Sequence, residues 1–188
     1  MVSCGYVFLI AAAVAASSSS SDSARNKIGN IERDRLPPGA HVTLTAQELT
    51  AYARDQAQRI APGAVQHMSL SIGGGHAEGS AIVDLLKVRQ ANGDSDSWIM
   101  RQLLSGGHEV RTRVRIESRA GKAKVDVERV EIGGVTMEGK TLAFLMSQFV
   151  IPSFPNARVG EWFELGHRID RFELRPGAVT VWIAKSGG

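Results

Sequence analysis

The stretch VRTRVRIESRAGKAKVDVERVEIGG, residues 110–134, decides the fold because it has the pattern of two long strands joined by a tight turn. Val110, Thr112, Val114 and Ile116 occupy every second residue of its first half with arginines between them, which is typical of a half-buried strand. The turn falls at Ala120-Gly121. The second half alternates in the same way until its phase changes at Glu128-Arg129, which predicts a β-bulge. The stretch therefore predicts an antiparallel hairpin with one apolar face and one charged face.

Further helices and strands flank the hairpin on both sides. Upstream, Thr45-Ala46-Gln47-Glu48 has the form of a helix-capping box, and Pro62-Gly63 marks the helix end. The order αββ(α)ββαββ predicts an α+β fold, in which an antiparallel sheet of about six strands packs on the long N-terminal helix and a second helix. The predicted elements are a helix from Ala46 to Ile60, strands from Val65 to Ile72 and from Ala77 to Val88, a short apolar element at 98–104, a helix from Thr141 to Val150, and strands from Ile169 to Leu174 and from Val179 to Ala184.

The N-terminus predicts export. Tyr6 to Ala16 is an unbroken apolar run, YVFLIAAAVAA, which is shorter than the about 20 residues that a membrane-spanning helix needs. It is typical of the hydrophobic region of a secretory signal peptide, although no Lys or Arg precedes it. Ala13 and Ala15 give the small-x-small pattern of a cleavage site. We expect residues 1–16 to be removed and the mature protein to be periplasmic or extracellular; the alternative is a poorly ordered apolar tail.

The remaining chain predicts one domain behind a linker. Residues 17–40 begin with a serine run and continue with polar residues, so we expect a flexible linker. Residues 41–188 are predicted to be a single α+β domain, large enough to bury a core of its own. The one cysteine, Cys4, lies in the part expected to be removed. A mature chain without a thiol excludes disulfides, a cysteine nucleophile and thiolate-bound metals.

Catalytic and metal-binding patterns are missing from the sequence. The histidines show no metal-ligand spacing, and His76 and His108, which lie beside turn glycines, are the only candidates for a site assembled from distant segments. The glycine-rich stretch at 73–79 precedes an extended segment rather than a helix, so it indicates a hairpin turn and not a phosphate-binding loop. Neither Ser80 nor Ser105 has the flanking glycines of a nucleophile elbow. The sequence therefore predicts a protein that is not an enzyme and has no cofactor or metal.

A row of arginines marks the charged face of the predicted hairpin. Arg111, Arg113 and Arg115 point to one side, with acidic residues nearby on both strands. No aromatic residues are interleaved with them, and the net charge is only +3, so we expect no nucleic acid partner. Two interpretations stay open. The arginines either form cross-strand pairs with glutamates on a solvated face, or they contact the head groups of an anionic membrane surface.

The sequence contains more bulky apolar residues than the apolar sides of its predicted helices and strands need for packing. This surplus predicts either a filled core or an apolar groove for a lipid or another amphipathic ligand. In the second case the partner is a lipid or a membrane surface; no residue pattern identifies a protein partner. The side chains predicted to line or gate the groove are Trp98, Met100, Leu103, Phe163 and Trp182.

Three short motifs carry a family resemblance. They are Thr43-Leu44-Thr45-Ala46-Gln47-Glu48-Leu49 ahead of a helix, Val130-Glu131-Ile132-Gly133-Gly134 at the end of the long hairpin, and Arg168-Ile169-Asp170-Arg171 before the last strands. In these motifs the chain resembles the LmeA-like phospholipid-binding family, over about Val42 to Ile183. The resemblance implies half of a tubular lipid-binding fold, with a sheet wrapped along a long helix. It also implies an exported, envelope-associated lipid-binding protein, and it supplies no catalytic residues.

Overall fold

The computed structural model describes residues 5–91, 106–145 and 159–185. Helices and antiparallel strands follow one another in these ranges, and the predicted α+β class is confirmed. The helices are α1 (Gly5–Glu32), α2 (Ala46–Ile60), α3 (Leu85–Ala91) and α4 (Gly139–Leu145). The strands are β1 (His41–Thr45), β2 (Val65–Gly73), β3 (His76–Asp84), β4 (Gly107–Arg119), β5 (Lys122–Ile132), β6 (Val135–Met137), β7 (Trp162–Glu164), β8 (Ile169–Arg175) and β9 (Ala178–Ile183).

The strands form two antiparallel sheets. The larger sheet has the order β2-β3-β4-β5-β6, and β7 pairs with the opposite end of β5 from β6, so its size agrees with the predicted sheet of about six strands. The smaller sheet has the order β1-β9-β8. The predicted closing hairpin thus exists, but it leaves the larger sheet and pairs with β1. The sequence did not predict β1 as a strand because its five residues become a strand only through pairing with β9, far along the chain.

The central hairpin forms as the sequence predicts. Along its whole length, β4 alternates between exposed and half-buried side chains. The turn to β5 places Ala120 at a φ of 47° and Gly121 at 75°, in the left-handed region that a two-residue hairpin turn requires. The register shifts between Arg113 and Val114, and the extra residue opposite them is Glu128. The predicted bulge is therefore confirmed at the predicted place.

Helix α2 begins and ends where predicted and protects the outer edge of β2. The Thr45 hydroxyl accepts a hydrogen bond from the Glu48 amide (3.1 Å), and the Glu48 carboxylate accepts one from the Thr45 amide (2.8 Å), so the capping box is complete. From the body of α2, the Thr50 hydroxyl accepts a hydrogen bond from the Leu70 amide at 3.0 Å. This contact occupies a backbone donor that an open sheet edge would offer to another chain.

The prediction of a flexible linker at residues 17–40 is wrong over its first part, because α1 continues through it to Glu32. Ala24, Ile28 and Ile31 recur at helical spacing and pack in a hydrophobic cluster with residues of β1 and β9. Asparagines, a glycine and charged residues separate these three, so the composition resembles that of a linker although the spacing is helical. The folded domain therefore begins within α1 and not at β1.

Polar side chains hold α1 against α2. Glu48 is only 8% exposed, and its carboxylate accepts hydrogen bonds from the Ser23 hydroxyl at 2.6 Å and the Lys27 ammonium at 2.7 Å. Two residues before Ser23, the buried Ser21 hydroxyl donates a hydrogen bond to the Asp55 carboxylate. These bonds join segments that lie more than twenty residues apart, so they fix the position of α1 rather than its helical conformation.

Strand β3 differs from the prediction at its C-terminal end, and α4 begins at Gly139, two residues before the predicted helix. Strand β3 ends at Asp84 and not at Val88, because α3 begins at the next residue. The Asp84 carboxylate accepts a hydrogen bond from the Lys87 amide at 3.1 Å, in the manner of a helix N-cap. The helix predicted at Thr141–Val150 corresponds to α4 as far as residue 145. Its remainder and the predicted apolar element at 98–104 lie outside the described residues.

Candidate functional site

The larger sheet has one apolar face, to which alternate residues of β2, β3, β4 and β5 contribute in register. Ile72, Ala123 and Val130 are buried members of this apolar face. The remaining members are half-buried and keep part of their surface exposed, so the face is incompletely covered. These half-buried members are Leu70, Ala77, Ala81, Val83, Val110, Val114, Ile116, Val125, Val127 and Ile132.

The smaller sheet covers one end of the apolar face. Strand β8 contacts β2, β4 and β5. Near the β4–β5 turn, the Ser118 hydroxyl donates a hydrogen bond to the Phe172 carbonyl oxygen (2.9 Å) and accepts one from the Phe172 amide (2.6 Å). Val83 and Val110 lie toward the other end of the face, several residues from these contacts along their strands. Both are half-buried, although the nearby Val130 of β5 is buried.

The opposite face of the larger sheet carries paired charges. Each arginine of the predicted row forms an ion pair with a glutamate, and we call this side the charged face. Exposed ion pairs of this kind contribute little to stability. The structure thus contains the cross-strand and same-strand pairs of the first interpretation, while contact with lipid head groups stays a prediction. The pairs are Arg111–Glu109 (2.7 Å), Arg113–Glu78 (2.8 Å) and Arg115–Glu128 (2.8 Å).

Glu128, the bulge residue, connects several cations of the charged face. Its carboxylate also accepts a hydrogen bond from Arg113 Nε at 3.2 Å and lies 3.4 Å from His76 Nε2. Partial desolvation on its own would raise the pKa of Glu128. The hydrogen bond and charge of Arg115, the charge of His76 and the hydrogen bond from Arg113 outweigh it, so the pKa lies below its ordinary value. An ionised Glu128 neutralises part of the charge that the arginines would offer to an anionic surface.

His108 lies inside β4, and its neighbour Gly107, which the sequence analysis placed in a turn, is the first residue of that strand. His108 is half-buried on the apolar face, two residues before Val110 and opposite Val83 in the ladder. Its Nε2 atom is buried and has no hydrogen-bond partner among the described residues. His76 does lie beside a turn, where its Nδ1 is 3.1 Å from the Gly74 carbonyl oxygen. The period of two residues in β4 was the sequence signal that could have placed His108 on this face.

The two described residues of the predicted acyl-chain groove belong to different sheets. Phe163 of β7 is half-buried and pairs with Ala123, on the side of the apolar face. Trp182 of β9 has a polar setting in the smaller sheet. Its indole Nε1 donates a hydrogen bond to Glu173 Oε2 at 3.2 Å, and the Arg171 guanidinium lies 4.7 Å from the ring centre. The other predicted groove residues, Trp98, Met100 and Leu103, lie outside the described residues.

Comparison with known proteins adds no identity. The chain matches no family model, no curated protein and no solved structure. Within residues 5–91, 106–145 and 159–185, no three His, Cys, Asp or Glu side chains come together as a metal site. In the same part of the chain, no helix has the length and apolar character needed to cross a membrane. The resemblance to the LmeA-like family stays a prediction. The features that bear on function are the apolar face and the charged face of the larger sheet.

Proposed function

We propose that this chain is a non-enzymatic exported domain that binds a lipid or another amphipathic ligand in the cell envelope. The supporting observation is the incomplete burial of the apolar face, where Val83 and Val110 stay half-buried away from the smaller sheet. A contiguous row of partly exposed apolar side chains favours an apolar partner. Each CH₂ group of an acyl chain that leaves water on this face would contribute about 0.8 kcal/mol to binding.

The charged face would have a weaker, salt-dependent part in this function. Arg111, Arg113 and Arg115 would attract an anionic head group or membrane surface, as the sequence analysis expects. Each of them already pairs with a glutamate, so a head group has to compete with that partner. We therefore expect most of the binding free energy to come from the apolar face, with a minor contribution that salt screens.

Bound lipid is the direct test of the apolar face. Organic extracts of the purified exported protein are expected to contain lipid or another amphipathic molecule, detected by mass spectrometry. Val110→Asn should reduce the amount severalfold, because it places an amide on the apolar face. The matched control is Arg111→Asn, the next residue of β4 on the charged face, which should reduce the amount far less because the arginines make only a minor contribution to binding. Circular dichroism melting shows whether both variants fold.

The alternative function is an envelope structural or protein-interaction domain with a filled core. The cover that β8 gives to one end of the apolar face favours it. Extracts of folded wild-type protein that contain no lipid, together with no binding of phospholipid vesicles, would support this alternative and contradict the proposal.

Export gives a second prediction. Among the residues of α1 whose side chains the structure describes, the buried ones begin at Ser21, which is 3% exposed. Cleavage near Ala15 or Ala16 would therefore leave the contacts between α1 and α2 in the mature chain. N-terminal sequencing of the exported protein is expected to begin close to residue 16 or 17. A cytosolic protein that still begins at Met1 would refute this prediction.

A further inference from the structure

His108 is a polar side chain on the apolar face with an unmet hydrogen-bonding requirement. Its Nε2 atom is buried, and no described residue supplies a donor or an acceptor to it. By contrast, the hydroxyl of Ser118, on the same face, both donates and accepts a hydrogen bond at the Phe172 backbone. Buried polar atoms are almost always paired in folded proteins, and an unpaired one costs stability. The unpaired imidazole nitrogen therefore calls for a partner that the described residues do not provide.

We propose that His108 Nε2 binds the hydroxyl head group of an amphipathic ligand whose chain lies along the apolar face. This inference rests on the proposed function and names the residue that would select the head group. A hydroxyl can donate and accept, so it satisfies the Nε2 atom in either tautomer of a neutral imidazole. An alkyl chain without a polar group would leave the same nitrogen unpaired.

The position of His108 suits this role. It lies near the start of β4, and the smaller sheet contacts the larger one toward the β4–β5 turn. Val110, with Ala81 and Ile132 opposite it in the ladder, continues the apolar face directly from His108. Beside the ring lies Gly133, which has no side chain to fill the space; an added Cβ would be 4.0 Å from His108 Nδ1. A head group at His108 thus has its chain over the half-buried valines.

Decanol and decane are suitable probes, because they share a ten-carbon chain and differ only in the hydroxyl. The imidazole nitrogen resonances of ¹⁵N-histidine-labelled wild-type protein are followed by NMR during titration with each probe. Decanol is expected to shift the Nε2 resonance of His108, and decane is not. The ratio of decanol affinity to decane affinity should fall roughly 5-fold to 10-fold in His108→Phe and should be largely kept in His108→Gln. The control His76→Phe, on the charged face, should keep the wild-type ratio.

The possible results separate this inference from the proposed function. Binding of both probes, with no shift of the His108 Nε2 resonance or with an unchanged ratio in His108→Phe, would refute the role of His108 and leave the apolar face as a lipid site. Failure of both probes to bind folded wild-type protein would refute both proposals. The wild-type NMR titration decides the matter even where a variant fails to fold.

Discussion

Replacement of Ala24 by aspartate is expected to detach α1 from the domain and to lower the free energy of unfolding by roughly 3–5 kcal/mol. Ala24 has no exposed surface and lies in a cluster with Ile31, Leu44 and Val181. An aspartate there would bury a carboxylate without a partner, which is among the most costly single changes to a folded protein. Urea denaturation followed by circular dichroism measures the effect.

The matched control is Asn26→Asp, which adds the same charge to the exposed side of α1. A surface change of this kind should alter the free energy of unfolding by no more than about 0.5 kcal/mol. Equal stability of the Ala24→Asp variant, the Asn26→Asp variant and the wild type would mean that α1 adds nothing to the domain. The segment after residue 16 would then behave as the flexible linker that the sequence analysis expected.

The stability of the domain is also expected to fall as the pH is lowered from about 4.5 to about 2, chiefly through Glu48. Burial alone would raise the pKa of this carboxyl. Hydrogen bonds from Lys27, Ser23 and the Thr45 amide, together with the charge of Lys27, instead lower the pKa from 4.5 to about 2. The side chain is 10% exposed, so solvent screens these interactions only partly.

The sign of the effect follows from the lowered pKa. Glu48 stays ionised to a lower pH in the folded protein than in the unfolded chain. The contribution of its carboxylate to stability is therefore complete above a pH of about 4.5 and is lost as the pH falls through about 2. The difference between a pKa of 4.5 and a pKa of about 2 corresponds to at most roughly 3 kcal/mol in the free energy of unfolding. Urea denaturation at a series of pH values measures this loss.

Glu48→Gln isolates the contribution of this carboxylate. The variant should be less stable than the wild type at pH 7, and the two should converge as the pH falls below 2, because the wild-type carboxyl is then mostly protonated. Glu32→Gln, at an exposed position of helix α1, is the control and should keep the wild-type pH dependence. An unchanged pH dependence in Glu48→Gln would show that other groups govern the acid sensitivity.

The candidate site was only partly predictable. Alternation along β4 predicted an apolar face and an arginine row, and both exist. It did not predict that Arg113 pairs with Glu78, thirty-five residues away, because that contact depends on how β3 and β4 align. The unpaired nitrogen of His108 depends in the same way on what surrounds it. Trp182 was predicted to line a groove, but it lies on the opposite side of β9 from the buried Val181 and Ile183, and its polar partners come from β8.

The sequence by itself determined the elements whose signals are local. The central hairpin with its bulge at Glu128 and the capped helix α2 depend on the spacing of nearby residues and on short-range hydrogen bonds, which a linear pattern contains. Only the tertiary structure decided that α1 belongs to the domain and that β9 pairs with β1. Ala24 and Val181 come from opposite ends of the chain and lie in one buried cluster, and the free energy of that burial exists only once folding brings them together.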